Sequence, residues 1–272
     1  MRIRPIALLA TAALTLAACG GGGNGAGLPP DPDAPVIQVR SEGGFMTPEM
    51  NLGRGPTYTL LGDGRLIYEG PVIAIYPGPL LPNYQATQLT DELVDDLLAM
   101  IEEIGLPEMD SELDDSAMAT VADATTEIVT YWDENGVHSY SVYGLGIDPN
   151  PSNPATAATV ELVAALSEAA FSAASVEYTG DRVRVISGVA QVAPDPEFED
   201  VRPWPLDGED PAEWTELSLG FTCTTFGADV LDEFRDATQV TQWLHPDETM
   251  DAPPFVPLVR PLHPGEPDCP VT

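Results

Sequence analysis

The sequence contains no lysine, so its ten basic side chains are all arginine, and they stand against 44 acidic residues. The formal net charge is -34 at pH 7. A surface of this charge repels nucleic acid and anionic polymers, and it attracts cations or basic proteins. We therefore expect no nucleic-acid partner, and we expect any protein partner to present a basic surface. A simpler explanation of the charge is that it keeps the protein soluble.

The sequence also lacks the short motifs of common catalytic and nucleotide-binding sites. It has no G-x-S-x-G nucleophile elbow, no P-loop, no dinucleotide glycine fingerprint and no H-E-x-x-H metal motif. Its three histidines are His138, His245 and His263. His138 falls in a predicted strand, where we expect a hydrogen-bonded structural role. The other two each precede a proline and are expected at the surface. We therefore predict no catalytic residue, cofactor, nucleotide or metal site.

The chain begins with the features of a bacterial export signal. Arg2 and Arg4 make the start positive, residues 6–16 are apolar, and Leu16-Ala17-Ala18-Cys19 resembles a lipoprotein cleavage box. The apolar run is too short to span a bilayer, and no later hydrophobic stretch reaches about 18 residues. We predict a signal peptide over residues 1–18, acylation of Cys19, and a lipid-anchored protein on the extracytoplasmic side of the cell membrane. The alternative is a plain secretory signal with an incidental cysteine.

A segment rich in glycine and proline follows Cys19. Residues 20–27 carry few side chains, and residues 28–35 contain four prolines. We interpret residues 19–35 as a tether with a flexible first half and a stiffer second half. Treated as a random coil of about 16 residues, the tether has a root-mean-square reach of roughly 20 to 24 Å. That reach places the folded part just clear of the lipid headgroups.

Two cysteines remain once Cys19 is acylated, namely Cys223 and Cys269. An even pair in the same C-terminal third of an exported protein is most simply a disulfide. Neither cysteine belongs to a C-x-x-C pair or has an adjacent histidine, which leaves redox or metal chemistry as the less favoured alternative. We therefore predict a disulfide between Cys223 and Cys269 that ties the C-terminal tail to the rest of its lobe.

Strand and helix patterns alternate through the first part of the mature chain. Asp-Gly at 63–64 and Asn-Gly at 135–136 predict two β-hairpins. Thr90 can cap a helix whose apolar stripe ends at Gly105, and Asn153-Pro154 can begin a second helix. The order hairpin, helix, hairpin, helix is typical of an α+β fold, with an antiparallel sheet and the helices packed on one face.

We predict that this domain covers residues 36–176 and that a smaller, disulfide-closed α+β lobe covers residues 177–272. The lobe is expected to contain a strand at 182–186, an extended segment at 217–221, a helix at 229–243 and an edge strand at 255–262. In the first domain, the proline-rich residues 72–82 are interpreted as an edge strand and a loop.

Short motifs scattered over residues 36–269 resemble those of a group of uncharacterised secreted lipoproteins of actinobacteria. The motifs are Tyr58-Thr59-Leu60-Leu61-Gly62-Asp63-Gly64, Tyr76-Pro77-Gly78-Pro79, Thr125-Thr126, His138 with Tyr143-Gly144-Leu145-Gly146, and Val259-Arg260-Pro261-Leu262 with Cys269. The resemblance implies kinship, and it carries over no activity and no catalytic residue.

Three classes of function remain open from the sequence. The predicted anchor and the missing catalytic motifs favour a non-catalytic binding or accessory module of the cell envelope. An envelope hydrolase could instead use two acids that the fold brings together, and an acidic cation-binding or adhesion protein could use the surface charge. Buried acids clustered in a deep cleft would favour the hydrolase, whereas a flat apolar patch with an acidic rim would favour the module.

Overall fold

The structure is a computed structural model that describes residues 28–188, 200–244 and 254–270. The strands are β1 (Pro35–Gly43), β2 (Tyr58–Leu61), β3 (Arg65–Glu69), β4 (Tyr84–Gln88), β5 (Glu112–Asp114), β6 (Thr125–Asp133), β7 (Gly136–Tyr143), β8 (Ser175–Glu177), β9 (Arg182–Ser187), β10 (Val201–Pro203), β11 (Thr215–Glu216), β12 (Thr222–Gly227), β13 (Gln242–Leu244) and β14 (Leu258–Pro261). The helices are α1 (Pro48–Gly53), α2 (Asp91–Ile104), α3 (Pro154–Ala170) and α4 (Leu231–Phe234). The predicted signal peptide, Cys19 and His245 lie outside the described residues.

The first domain is built on one eight-stranded sheet with the order β5-β7-β6-β1-β2-β3-β4-β8. Its pairings are antiparallel except for the parallel contact between β5 and β7. Both predicted hairpins are confirmed, because β2 pairs with β3 across Gly62-Asp63-Gly64 and β6 pairs with β7 across the Asn-Gly turn. Gly64 has a φ of 81°, a value that favours glycine and explains why the turn needs it.

Both predicted helices are also confirmed, and they pack together on one face of this sheet. Thr90 caps α2 by accepting a hydrogen bond from the backbone of Leu93, and Gly105 ends the helix with a φ of 81°. Asn153 caps α3, with Pro154 in its first turn. The apolar stripes of the two helices share a core with side chains of the central strands. The fold is therefore α+β, as the alternation of patterns predicted.

The opposite face of the sheet holds the C-terminal part of the chain. Because side chains alternate along a strand, Leu60 and Leu66 point toward the helices while Thr59 and Ile67 point the other way. On that second face, Thr59 forms a hydrogen bond with His263. The large sheet therefore lies between a helical layer and the C-terminal lobe.

The C-terminal lobe contains a second antiparallel sheet, with the order β11-β12-β9-β14, and a short parallel pair of β10 with β13. Its main core is aromatic and is formed by Trp204, Phe234, Trp243 and Phe255. The predicted disulfide is confirmed, because Cys223 of β12 is bonded to Cys269. The predicted strand at 182–186 and the predicted edge strand, β14, are confirmed as well.

Three local predictions were wrong. Residues 217–221 form a tight turn, closed by a hydrogen bond from the Leu217 backbone nitrogen to the Phe221 carbonyl oxygen. The helix expected at 229–243 stops at Phe234, and the segment then turns into β13 because pairing with β10 buries Trp243 in the aromatic core. No strand forms at 72–82, where the chain makes a protruding loop between β3 and β4.

The described part of the predicted tether contacts the first domain. The backbone nitrogens of Gly62 and Asp63 donate to the carbonyl oxygens of Ala34 and Pro32, and Leu28 packs against the main core. Leu28 to Pro35 therefore extend the folded body toward the N-terminus.

Candidate functional site

A cleft lined by arginine lies where the large sheet meets the C-terminal lobe. It has a volume of about 660 Å³, within the usual range of ligand pockets. Four of the eight arginines in the described ranges line it, namely Arg40, Arg54, Arg184 and Arg260. Two acidic residues, Glu42 and Glu266, also line it. In a chain of net charge -34, positive charge is thus concentrated at one concave site.

Arg184 and Arg260 form the floor of the cleft. They are cross-strand neighbours on β9 and β14, and each is only 4% exposed. Like charges directly opposite each other on a sheet are destabilising, so this pair requires an anion. The required anion is the side chain of Glu266.

Glu266 binds Arg260 through two hydrogen bonds, Nη1 to Oε2 at 2.8 Å and Nη2 to Oε1 at 2.6 Å. The backbone nitrogen of His263 donates to the same carboxylate at 2.9 Å, and Arg184 Nη1 lies 3.8 Å from it. Burial alone would raise the pKa of Glu266, but the hydrogen bonds and charge of Arg260 hold that pKa below its usual value. Burial and the charge of Arg260 lower the pKa of Arg184 to about 10, so Arg184 stays protonated at neutral pH.

The disulfide holds this part of the floor in place. Arg184 donates from Nε to the carbonyl oxygen of Asp268 at 2.9 Å and from Nη2 to that of Pro267 at 2.5 Å. The next residue, Cys269, is bonded to Cys223 on β12, the strand beside β9. The predicted bridge therefore does more than close a lobe, because it positions the segment that neutralises the buried arginines.

Arg54 supplies the least satisfied charge in the cleft. It lies in the segment Gly53-Arg54-Gly55-Pro56, directly after α1. The segment passes so close to the floor that a Cβ atom at Gly55 would lie 2.1 Å from the Tyr84 hydroxyl. Within the part of the chain that the structure describes, Arg54 makes no ion pair, and its Nη1 is buried with no hydrogen-bond partner. A carboxylate or phosphate could satisfy this guanidinium with two parallel hydrogen bonds.

An apolar groove of about 410 Å³ opens beside the cleft and shares Arg54, Gly55 and Arg260 with it. The protruding loop between β3 and β4 forms one rim, where Ile73 is 70% exposed and Val72 and Ile75 are also exposed. The groove is further lined by Met46, Met50, Leu80, Leu81 and Leu258. Exposed apolar side chains grouped around a groove are typical of a binding surface.

The prediction for His263 was wrong, because this histidine is fully buried. Its Nδ1 lies 2.8 Å from the Thr59 hydroxyl, and its ring packs edge-on against Tyr84 and Tyr178. Burial lowers its pKa to about 3, so the ring is neutral at physiological pH. A His-Pro pair is typical of an exposed loop, but here the tail runs beneath the second face of the large sheet.

His138 has the hydrogen-bonded strand position that was predicted for it. It lies in β7, and its ring nitrogens contact the Met109 carbonyl oxygen at 2.8 Å and the Asp133 carboxylate at 3.1 Å. The Met109 carbonyl oxygen and the Asp133 carboxylate are both hydrogen-bond acceptors. The doubly protonated ring can therefore donate a hydrogen bond to each of them. The Met109 hydrogen bond and the Asp133 carboxylate raise the pKa of His138. Both ring nitrogens of His138 are therefore engaged by groups of the protein itself.

Replacing His138 with alanine should lower the free energy of unfolding by about 1 kcal/mol, through the lost hydrogen bonds. The pKa of His138 is raised in the folded state, so its stabilising effect is complete below the unfolded pKa of about 6.5 and falls as pH rises through the folded pKa. Urea unfolding at pH 6 and pH 9 should therefore show a larger effect of the substitution at pH 6. An equal effect at both pH values would contradict the protonated state.

The described residues contain neither a cluster of metal-ligating side chains nor a helix that could span a membrane. Over residues 28–188, 200–244 and 254–270, no three histidine, cysteine or acidic side chains are grouped so as to hold a metal ion. Across the same ranges, none of the helices has the length and hydrophobicity to span a bilayer. The acids of α2, Asp95, Asp96, Glu102 and Glu103, lie exposed on its outer face, as expected for a solvated helix surface.

Sequence reasoning missed the cleft, although two signals pointed to it. Arg184 shares one face of its strand with the apolar Ile186, so that face need not be open to solvent. Arg54 is flanked by two glycines, which allow the backbone to approach another element closely.

The chain was compared with family models, curated proteins and solved structures. No family model, no curated protein and no solved structure matches it.

Proposed function

We propose that this protein is a non-catalytic binding module that takes an anionic ligand in the arginine-lined cleft. The observation that carries the proposal is the buried, unpartnered Nη1 of Arg54 in a cavity that three further arginines line. Burying an unsatisfied guanidinium donor is costly, and an anionic ligand would remove that cost. The acidic exterior outside the cleft remains available to an envelope protein with a basic surface.

The burial, hydrogen bonding and pKa of the acidic side chains favour binding over hydrolysis. In the described ranges, no aspartate or glutamate falls among the fully buried residues. Glu266, the acid on the floor of the cleft, is fully engaged by Arg260 and the His263 backbone. A hydrolase of the two-carboxylate type needs one carboxyl group that can donate a proton, so its pKa must be raised. The pKa of Glu266 is lowered instead.

We further propose that the module is lipid-anchored at Cys19 on the extracytoplasmic side of the cell membrane, as in the secreted actinobacterial lipoproteins that its sequence resembles. The Leu16-Ala17-Ala18-Cys19 box supports the anchor. The confirmed Cys223–Cys269 disulfide is in keeping with an oxidising compartment. An anchored module would hold its ligand close to the membrane surface.

The cleft is tested by replacing Arg54 with glutamine and measuring butyl phosphate binding by isothermal titration calorimetry. A hydrogen bond to a charged group contributes about 1.5–3 kcal/mol, so we expect binding to weaken roughly 10- to 100-fold. Arg54 makes no ion pair within the described ranges and its replacement removes a buried, unsatisfied donor, so the melting temperature should not fall below the parent value.

Arg235→Gln is the matched control for this experiment. Arg235 is an exposed arginine outside the cleft, where it pairs with Glu177 and Asp232. Its replacement removes the same charge and should leave butyl phosphate binding unchanged. No binding by the parent protein, or equal binding by the parent and Arg54→Gln proteins, would refute the proposed site.

The lipid anchor is tested by Cys19→Ser. Diacylglyceryl transfer needs the thiol, so the variant should remain unprocessed or be released from the membrane. Cell fractionation and mass spectrometry of the mature chain measure both outcomes. A variant that still sediments with membranes as the same mature species would show that Cys19 is not the anchor.

A further inference from the structure

We infer that the ligand of the cleft is a single-chain amphiphile with an anionic head group, an inference that rests on the proposed anion binding. The cleft and the apolar groove are adjoining cavities, and Arg54, Gly55 and Arg260 line both. A ligand that filled both would place charge beside arginine and a hydrocarbon chain along the groove. An amphiphile has this pairing of a charged end and an apolar end.

The groove is suited to a hydrocarbon chain. The protruding loop lines it with Val72, Ile73 and Ile75, and Met46 and the α1 residue Met50 line it as well. Methionine is unbranched and adapts to the shape of an apolar ligand. These exposed side chains lose contact with water when a chain lies in the groove, and burial of apolar surface is the main source of affinity for such a ligand.

The loop that forms the rim is held in position by the rest of the molecule. Gly70 donates from its backbone nitrogen to the Asn83 carbonyl oxygen at 2.7 Å, which closes the base of the loop. Leu80 donates to Ala237 at 2.9 Å, and Gly78 accepts from Gln239 at 3.0 Å, so the far side is tied to the C-terminal lobe. A rim that is already in place costs little conformational entropy when the ligand binds.

Charge orients the ligand in the two cavities. The groove contains one acid, Glu69, while the cleft contains four arginines and two acids. An anionic head group is attracted to Arg54, where the two cavities join, and is repelled by Glu69. A cationic amphiphile would meet the arginines and bind poorly. The head group therefore lies at Arg54 and the chain runs along the groove.

The experiment compares alkyl phosphates of two chain lengths, using the full chain with Cys19→Ser so that no acyl group is attached. Isothermal titration calorimetry is run with butyl phosphate, octyl phosphate and octyltrimethylammonium, each below its micelle-forming concentration. A buried methylene strengthens binding about fourfold, so octyl phosphate should bind roughly 200-fold more tightly than butyl phosphate when all four added methylenes are buried. The ammonium compound should bind at least tenfold more weakly than octyl phosphate.

Two substitutions locate the head group and the chain. Arg54→Gln should weaken binding of both phosphates by similar factors. Ile73→Ser should reduce the gain from the longer chain and leave butyl phosphate binding unchanged. Val176→Ser is its control, because Val176 is a comparably exposed residue on β8, outside the groove. Val176→Ser should change neither the gain from the longer chain nor the binding of butyl phosphate.

The outcomes separate this inference from the proposed function. Equal affinity for butyl and octyl phosphate, with both weakened by Arg54→Gln, would overturn the amphiphile and leave anion binding in place. Absence of all phosphate binding would overturn both. A protein that binds vesicles of neutral phosphatidylcholine through Ile73, with no gain from the octyl chain, would show that the loop contacts a membrane and would also overturn the amphiphile.

Discussion

Replacing Glu266 with glutamine should lower the free energy of unfolding by about 3–5 kcal/mol, the cost of leaving buried charges without their partner. The carboxylate holds two arginines that are almost inaccessible to water and lie opposite each other on adjacent strands. Glutamine has nearly the same shape, so the substitution removes charge and creates little new space. Urea unfolding followed by tryptophan fluorescence measures the effect, since Trp204, Trp214 and Trp243 all lie in the C-terminal lobe.

Asp268→Asn is the matched control. Asp268 is two residues away, forms an ion pair with Arg182, and has a side chain that is 67% exposed. Exposed ion pairs contribute at most about 1 kcal/mol, so this variant should be close to the parent protein in stability. Similar losses of unfolding free energy in both variants would show that the C-terminal tail is destabilised by the loss of any charge. The buried contact between Glu266 and Arg260 would then have no special role.

The effect of Glu266 should also depend on pH. Its folded pKa is lowered relative to the unfolded value of about 4.3, so its stabilising effect is complete above that value and is lost as pH falls through the folded pKa. The difference between the parent and the glutamine variant should therefore be largest near pH 7 and smaller at pH 3. A difference that grew on acidification would contradict the assigned charge state.

Removal of the Cys223–Cys269 disulfide should destabilise the C-terminal lobe by about 4 kcal/mol. The two cysteines are 46 residues apart. Closing a loop of this length lowers the conformational entropy of the unfolded chain, which raises its free energy by about 4 kcal/mol. The double variant Cys223→Ala with Cys269→Ala avoids free thiols and allows a direct measurement. Thermal unfolding of this variant should show a transition at lower temperature than in the parent.

The same double variant should bind butyl phosphate less tightly, because the disulfide holds the segment that contacts the buried Arg184 through the carbonyl oxygens of Pro267 and Asp268. Hydrogen exchange should increase in that segment and in β14, while the β2–β3 hairpin of the large sheet keeps its protection. The control is the Cys19→Ser protein with its disulfide intact, in which thiol labelling without reduction should find no free cysteine. Increased exchange throughout the large sheet would show instead that the two parts of the molecule unfold as one unit.

The local features of this fold were readable from the sequence because they depend on neighbouring residues. Thr90 and Asn153 cap helices through their own side chains, and Gly64 suits a turn because it tolerates a positive φ. Apart from Cys19, the exported chain has only two cysteines, and two cysteines can form only one disulfide. The disulfide could therefore be predicted from the number of cysteines. The α+β class followed from the alternation of these signals along the chain.

Only the tertiary structure decided where distant segments meet. The helix pattern at 229–243 was broken because burial of Trp243 and pairing with β10 contribute more than helix propensity, a preference that is weak for each residue. His263 looked exposed from its neighbours and is buried by strands about 200 residues earlier in the chain. The cleft joins Arg54, Arg184, Arg260 and Glu266 from separate segments. A sequence shows each of these charges, but their distances and burial depend on the packing of the two sheets.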